Sequence, residues 1–334
     1  MRHLLRLAAF TLATIASSGV GAAPVPAAAS LPGPDGGWDY TSVDPAARRL
    51  YVARSTSVTL FDLAKGGAAR SIGQIDHGHG VVPLPDHRSL LVTSGHDNSV
   101  RILDAEDGHE IARIAAGDGP DAALFDAASG RAYVMNHKGG TVSVIDVNGR
   151  KLVDTVALKP GLEFGVMAPD GTLYVNNEDA NEIEAVDTHT DKAGAAIALT
   201  GCEGPTGLAY EVRSGRLLAV CANGKAAVVD ARARKLVALV DIGAGPDAVI
   251  LDAAKRRAFI PCGRSGELDM LALDGASVRL VKRIPTEVGA RTGALDPRDG
   301  AIYLPTARFF PPATPGQRPS PLAGSFHVLV VRPH

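Results

Sequence analysis

The chain has 334 residues, 46% of them apolar, with 34 Lys and Arg against 36 Asp and Glu. That supports a sizeable core. The near-cancelled charge, with no long basic run, excludes an electrostatically driven nucleic-acid or anionic-membrane surface. After the first residues no apolar run reaches the roughly 18 needed to cross a bilayer, so no membrane insertion is expected.

In chain order, residues 1–22 read as a secretory signal. Arg2, His3 and Arg6 give a positive start, Leu7 to Ile15 a short apolar stretch, and Gly21-Ala22-Ala23 the small residues of a cleavage site. The remainder, 23–334, is expected to be one periplasmic or secreted domain. No Cys lies near the cleavage region, so a lipid anchor is not expected.

The mature region repeats. Residues 119–134 read GPDAALFDAASGRAYV and residues 245–260 read GPDAVILDAAKRRAFI, an offset of 126 residues or three times 42. Each unit has an apolar stretch closed by Asp or its equivalent, a turn, an aromatic-aliphatic pair such as Tyr51-Val52, Tyr133-Val134 or Tyr174-Val175, a loop, and an alternating strand ending in Asp. The segment TVSVID at 141–146 alternates with period two, as a half-buried strand does. An outer strand follows, as at Leu152–Leu158 and Leu236–Ile242, and no segment has sustained helical periodicity. Seven such units predict an all-β, seven-bladed β-propeller of four-stranded antiparallel blades. The last unit has an inner strand near Thr292–Leu295, the Tyr303 strand and a terminal strand Phe326–Val331, but no outer strand of its own. Val25–Leu31 is expected to fill that place and latch the ring. A ring closed within one chain is expected to act as a monomer.

In such a blade two loop sets share one face, called the top here: the loop entering the inner strand and the loop between the second and third strands. Residues five positions before each inner strand's end are Asp39, His79, Asp121, Glu163, Thr206, Asp247 and Arg291, 40 to 44 residues apart. They place one polar group per blade at the mouth of an apolar channel, the geometry of a ligand pocket. An Asp repeated at a strand start also serves as a turn cap, and that reading competes for Asp39, Asp121 and Asp247. The changes to His79, Glu163, Thr206 and Arg291 are what a purely structural device explains poorly. The end of the second strand offers a second register of candidates, Arg54, Ser94, Asn136, Asn177, Cys221, Cys262 and Thr306, with His96, His137, Glu178 and Asn223 just beyond, on the same face but further out.

Three ligand classes compete for this mouth. His79 with Asp39, Asp121 or Glu163 offers N and O ligands to a divalent metal. Arg291 and Arg54 suit the anionic group of a small ligand, with Asp121 or Asp247 taking hydroxyls of a polyhydroxylated one. A peptide or protein partner is the third. No nucleophile elbow, P-loop, dinucleotide glycine pattern or CxxCH is present, so no organic cofactor is expected. A binding or scaffolding module is the expected function. The alternative is a metal-assisted or acid–base enzyme, by analogy lactone hydrolase-like or quinoprotein dehydrogenase-like.

Of three cysteines, Cys202 and Cys221 belong to one unit and are expected to pair across its top rim. A Cys221–Cys262 bridge between neighbouring blades is the alternative. Residues 307–324 form an insertion with Phe309-Phe310 and five prolines, read as a solvated loop or a lid. Trp38 is read as core, or as a stacking surface for a ligand.

The stretches RLYVAR, RAYVMN and TLYVNN, each followed by a strand ending in Asp, resemble the YVTN-type repeat of bacterial secreted β-propellers, the YncE-like family. GGWDYTSVDPAARRLYV at 36–52, CEGPTGLAY at 202–210 and GARTGALDP at 289–297 fit the same group. The resemblance implies a seven-bladed propeller in the periplasm or outside the cell. It brings no established catalytic motif. The fifth unit departs with LLAV in place of the YV pair, and the seventh carries the insertion.

Overall fold

A computed structural model describes residues 29–275, 277–310 and 320–333. The expected signal, residues 1–22, and the centre of the insertion lie outside the described residues.

Seven antiparallel sheets follow one another along the chain, each a meander ordered from the inner strand outwards. The first blade comprises Trp38–Asp44, Arg49–Arg54, Val58–Asp62 and Ala68–Ile72. The inner strands of the next six are Gly78–Pro83, Pro120–Asp126, Leu162–Met167, Pro205–Glu211, Ile250–Asp252 and Ala294–Leu295. The expected outer strands of the third and fifth blades are seen as Lys151–Ala157 and Lys235–Asp241. In the fourth blade the outer strand is broken into Lys192–Ala193 and Ile197–Ala198.

The ring closes as expected. Ala29–Pro32 pairs antiparallel with His327–Val331, so the seventh blade takes its outer strand from the start of the chain. The N-terminal half of the expected latch lies outside the described residues.

The alternating residues of each strand supply the packing between blades. Seven apolar clusters of buried residues each join two neighbouring blades. Tyr51, for example, lies between the first and second blades with Leu60, Val81 and Leu90, all within a few per cent of full burial. Truncating one such side chain to Ala costs about 3–5 kcal/mol.

The repeated closing carboxylates serve the turns. Asp44 Oδ1 accepts the Ala46 and Ala47 amides at 3.0 and 2.9 Å, and Asp126 takes those of Ala128 and Ser129. Asp62, Asp104, Asp146, Asp187 and Asp230 do the same at the turns before the outer strands. An Asx cap of this kind satisfies amides that the ladder leaves free. Among the described residues no helix is long and apolar enough to cross a membrane.

Candidate functional site at the channel mouth

The mouth residues stand where the inner strands are irregular. The register shifts between Trp38 and Thr41, Gly78 and Val81, Pro120 and Ala123, Leu162 and Gly165, and Pro205 and Leu208. Asp39, His79, Asp121, Glu163 and Thr206 each fall inside such a bulge. A bulge re-aims the side chain it carries and ends regular pairing. Neighbouring blades hold the bulges in place. Thr93 Oγ donates to the Asp121 carbonyl at 2.6 Å, Asn176 to the carbonyls of Thr206 and Gly207, and Thr292 to that of Asp39 at 3.0 Å. The last bond joins the seventh blade to the first.

Crowding at the axis explains the residue that follows each site position. A side chain added at Gly80 would come within 2.9 Å of the Asp121 carbonyl, and one at Gly207 within 2.5 Å of Ala248. Tyr40 and Phe164 break the run of small residues. Their rings pack at a tilt of 51° with centroids 5.3 Å apart. Both line a cavity of about 110 Å³ along the channel, with Val81, Ala123, Val249 and Thr292.

Above that cavity lies a linked set of imidazoles and carboxylates. His79 Nδ1 is 2.7 Å from Asp39 Oδ2 and 3.6 Å from Asp121 Oδ1. His137 Nδ1 is 3.3 Å from Glu163 Oε1 and donates to the Leu162 carbonyl at 3.0 Å. Its Nε2 is 3.7 Å from Glu178 Oε1. The Tyr40 hydroxyl donates to Glu163 Oε2 at 3.4 Å. His77 lies edge-on to His79 and stacks on His96, with centroids 4.6 and 4.2 Å apart. His77 adopts a left-handed backbone, φ 61°, which a non-glycine residue holds only under constraint from its surroundings.

The turn-cap reading of the inner aspartates does not hold. Unlike Asp44 and Asp126, neither Asp39, Asp121 nor Asp247 has a carboxylate that accepts a backbone amide among the described residues. Asp121 Oδ1 is buried and has no hydrogen-bond partner among them.

Burial drives the Asp121 carboxyl well above the usual range, and the charge of Glu163 adds to it. Burial works against protonation of His79, but the Asp39 hydrogen bond and the charge of Asp121 outweigh it and raise its pKa. Glu163 raises that of His137 to about 9. Burial lifts the Tyr40 phenol and the Glu178 carboxyl, each further raised by Glu163.

The remaining expected positions divide. Arg291 Nε lies 2.8 Å from Asp247 Oδ2, forming a separate pair between the sixth and seventh blades. Thr206 Oγ1 donates to the Pro246 carbonyl at 3.4 Å and ties the fifth blade to the sixth. Arg54, Asn136 and Asn177 do not join the mouth. Arg54 is buried, donates to the carbonyls of Pro34 and Gly36 and lies 3.9 Å over the Phe326 ring. Asn136 donates to Thr141 and Ser143, and Asn177 to the carbonyls of Lys159 and Pro160. Strand parity turns these side chains into the sheet packing, where they anchor loops. With Arg54 committed and Arg291 paired, the two arginines expected to hold an anion are both engaged.

Sequence reasoning left out Tyr40 and Phe164 and placed His137 and Glu178 too far out. The signal for the first two was their size at a position where the other blades have Gly, Ala or Thr. Trp38 takes the core alternative, packing on Phe326 and Phe309 with centroids 5.3 and 6.3 Å away. Cys202 and Cys221 are bridged with Cα atoms 5.4 Å apart, while Cys262 is free and buried.

No protein-family model matches the chain, and no curated protein matches it. Solved structures do. A chain of "Kuenenia stuttgartiensis Hydrazine Synthase" superposes with a TM-score of 0.73 at 18% identity, covering 93% of this chain and 98% of that one. "Structure of U3-55K" gives 0.75 at 11% identity, covering 91% and 98%. "Crystal Structure of Mitotic Checkpoint Complex" gives 0.73 at 16% identity, covering 99% of each. At these identities the likeness is one of fold: this chain is similar to other β-propellers.

Proposed function

We propose that the protein is a binding module that seats its ligand or partner at the top-face mouth of the ring. The observation that carries this is the Asp39–His79–Asp121 and His137–Glu163 cluster, held by bulges over an apolar channel, with carboxylates that cap no turn. The engaged arginines favour a cationic or polyhydroxylated group over an anionic one. A protein partner is the second reading. Phe310 and Val288, both more than half exposed near this rim, favour it, and one similar fold comes from a checkpoint complex.

A periplasmic or secreted setting and membership of the YVTN-type propellers belong to the same reading. The repeat stretches, the 1–22 segment and the Cys202–Cys221 bridge support them, since disulfides persist in oxidising compartments. The enzyme alternative would use His79, oriented by Asp39, as an acid or base.

The test is capture of ligands and partners from the native compartment, by native mass spectrometry and crosslinking, with wild type and with His79→Ala and Glu163→Gln variants. Loss of capture by both variants with unchanged melting is expected. Equal capture by all three would remove the mouth from the binding site.

A further inference from the structure

We propose that the channel mouth is a divalent transition-metal site in which Asp121 is the ligand common to two triads, Asp39–His79–Asp121 and Asp121–His137–Glu163. This rests on the reading of the mouth as the binding site and names the ligand class it takes.

Each triad brings one donor atom per residue within 4.8 Å of the others. The separations within them have a particular size. His79 Nδ1 to Asp121 Oδ1 is 3.6 Å and His137 Nδ1 to Glu163 Oε1 is 3.3 Å. Neither makes a well-formed hydrogen bond. Two ligands bound about 2.1 Å from a tetrahedral ion stand about 3.4 Å apart, so both edges match a metal centre without backbone movement. The Asp39 edge, 2.7 Å from His79 Nδ1, is hydrogen-bond length, and His137 Nδ1 also donates to the Leu162 carbonyl at 3.0 Å. At both nitrogens an ion would replace the proton of that bond.

The second observation is the buried Asp121 Oδ1 with no hydrogen-bond partner. A buried polar atom left unmatched is costly and calls for a specific cause. Asp121 faces both triads, and a metal ion is a partner that would satisfy it. Its backbone is fixed by Thr93, and the imidazole and carboxylate of the second triad are steadied by Glu178 and by the Tyr40 hydroxyl. Such outer contacts orient metal ligands.

The donor set defines the ion. Two imidazoles with three carboxylates and no thiolate suit Zn²⁺, Mn²⁺ or Fe²⁺ better than the all-oxygen preference of Ca²⁺ and Mg²⁺. The three carboxylates also offset the positive charge brought in. A third cluster, Asp104–Asp107–His109, lacks these properties. It is largely exposed, and its carboxylates cap their own turn through the amides of Glu106, Asp107 and His109.

The test uses the full chain, stripped with chelator and titrated with Zn²⁺ alone by calorimetry, and with Co²⁺ for its tetrahedral absorption bands. Saturable binding at micromolar or lower Kd is expected. Asp121→Asn, close to isosteric, should weaken it by at least about 100-fold, and His79→Ala and His137→Ala by at least about tenfold each. His109→Ala should match wild type. Circular dichroism confirms that each variant is folded. No saturable uptake by wild type, or unchanged uptake by folded Asp121→Asn, would overturn the proposal. If wild type takes no metal yet His79→Ala loses partner capture, the metal inference fails and the binding reading stands. If Zn²⁺ binds through Asp121 while capture is indifferent to the mouth variants, the reverse holds.

Discussion

Arg291 closes on Asp247 across the boundary between the sixth and seventh blades, with Nε 2.8 Å from Oδ2. Burial nevertheless dominates, and the Asp247 carboxyl is pushed up to about 7, Arg291 only partly offsetting it. The folded protein therefore keeps the Asp247 proton to higher pH than the unfolded chain, where the carboxyl ionises near 3.8. Stability falls as pH rises from about 4 through about 7. Relative to Asp247→Asn, wild type is expected to lose on the order of 2–4 kcal/mol over that window. Urea unfolding of both proteins across the range measures it. Parallel curves would mean that folding does not raise the Asp247 pKa.

The Cys202–Cys221 bridge closes a loop of 19 residues within the fifth blade. A constraint of that length stabilises a fold by about 3 kcal/mol. Replacing both cysteines with Ser should lower the melting temperature by roughly 5–10 °C. Buried Cys262, its thiol pushed up to about 12 by burial, should not react with iodoacetamide in the native protein. Alkylation followed by mass spectrometry reads this directly.

Arg54 is a structural cation. Its guanidinium ties down the Pro34 and Gly36 carbonyls and covers the Phe326 ring. Arg54→Met keeps much of the packing and loses the hydrogen bonds, leaving the two carbonyls unmatched. The expected cost is about 1–3 kcal/mol, read by thermal or urea unfolding. A variant as stable as wild type would return Arg54 to the candidates for ligand contact.

Removing the chain through Pro32 takes away the partner of His327–Val331. The exposed edge then presents unpaired amides and carbonyls. Truncation is expected to lower the melting temperature and to produce dimers or aggregates in size-exclusion chromatography. A monomer of unchanged stability would show that the seventh blade does not need this strand.

Most of the fold was legible because each blade repeats the same demands. Alternation in TVSVID, the turn carboxylates and the missing outer strand of the last unit all report local physics that recurs seven times. Of the positions where the copies differ, His79 and Glu163 come together at the channel mouth, while Arg291 pairs apart with Asp247 and Thr206 bonds the Pro246 carbonyl. Two things were hidden. The bulges at Asp39–Tyr40 and Asp121–Ala122 depend on how seven inner strands converge, which no single unit encodes. The direction of Arg54, Asn136 and Asn177 depends on strand parity at the last residue before a loop, where a shift of one position reverses the face. His137 was placed too far out for the same reason: its contact with Glu163 crosses from the third blade to the fourth, and repeat alignment gives no distances between blades.

Ala29–Pro32 is the first strand of the described chain to be synthesised and belongs to the last blade to be completed. Six blades can assemble in order as the polypeptide emerges, each on the one before it. The opening strand must wait until His327–Val331 arrives, nearly three hundred residues later. A chain that stops before His327 lacks the piece that the N-terminal strand grips. Ring closure thus acts as a check on synthesis through His327–Val331: a product that stops before that strand leaves Ala29–Pro32 unpaired for quality control to find.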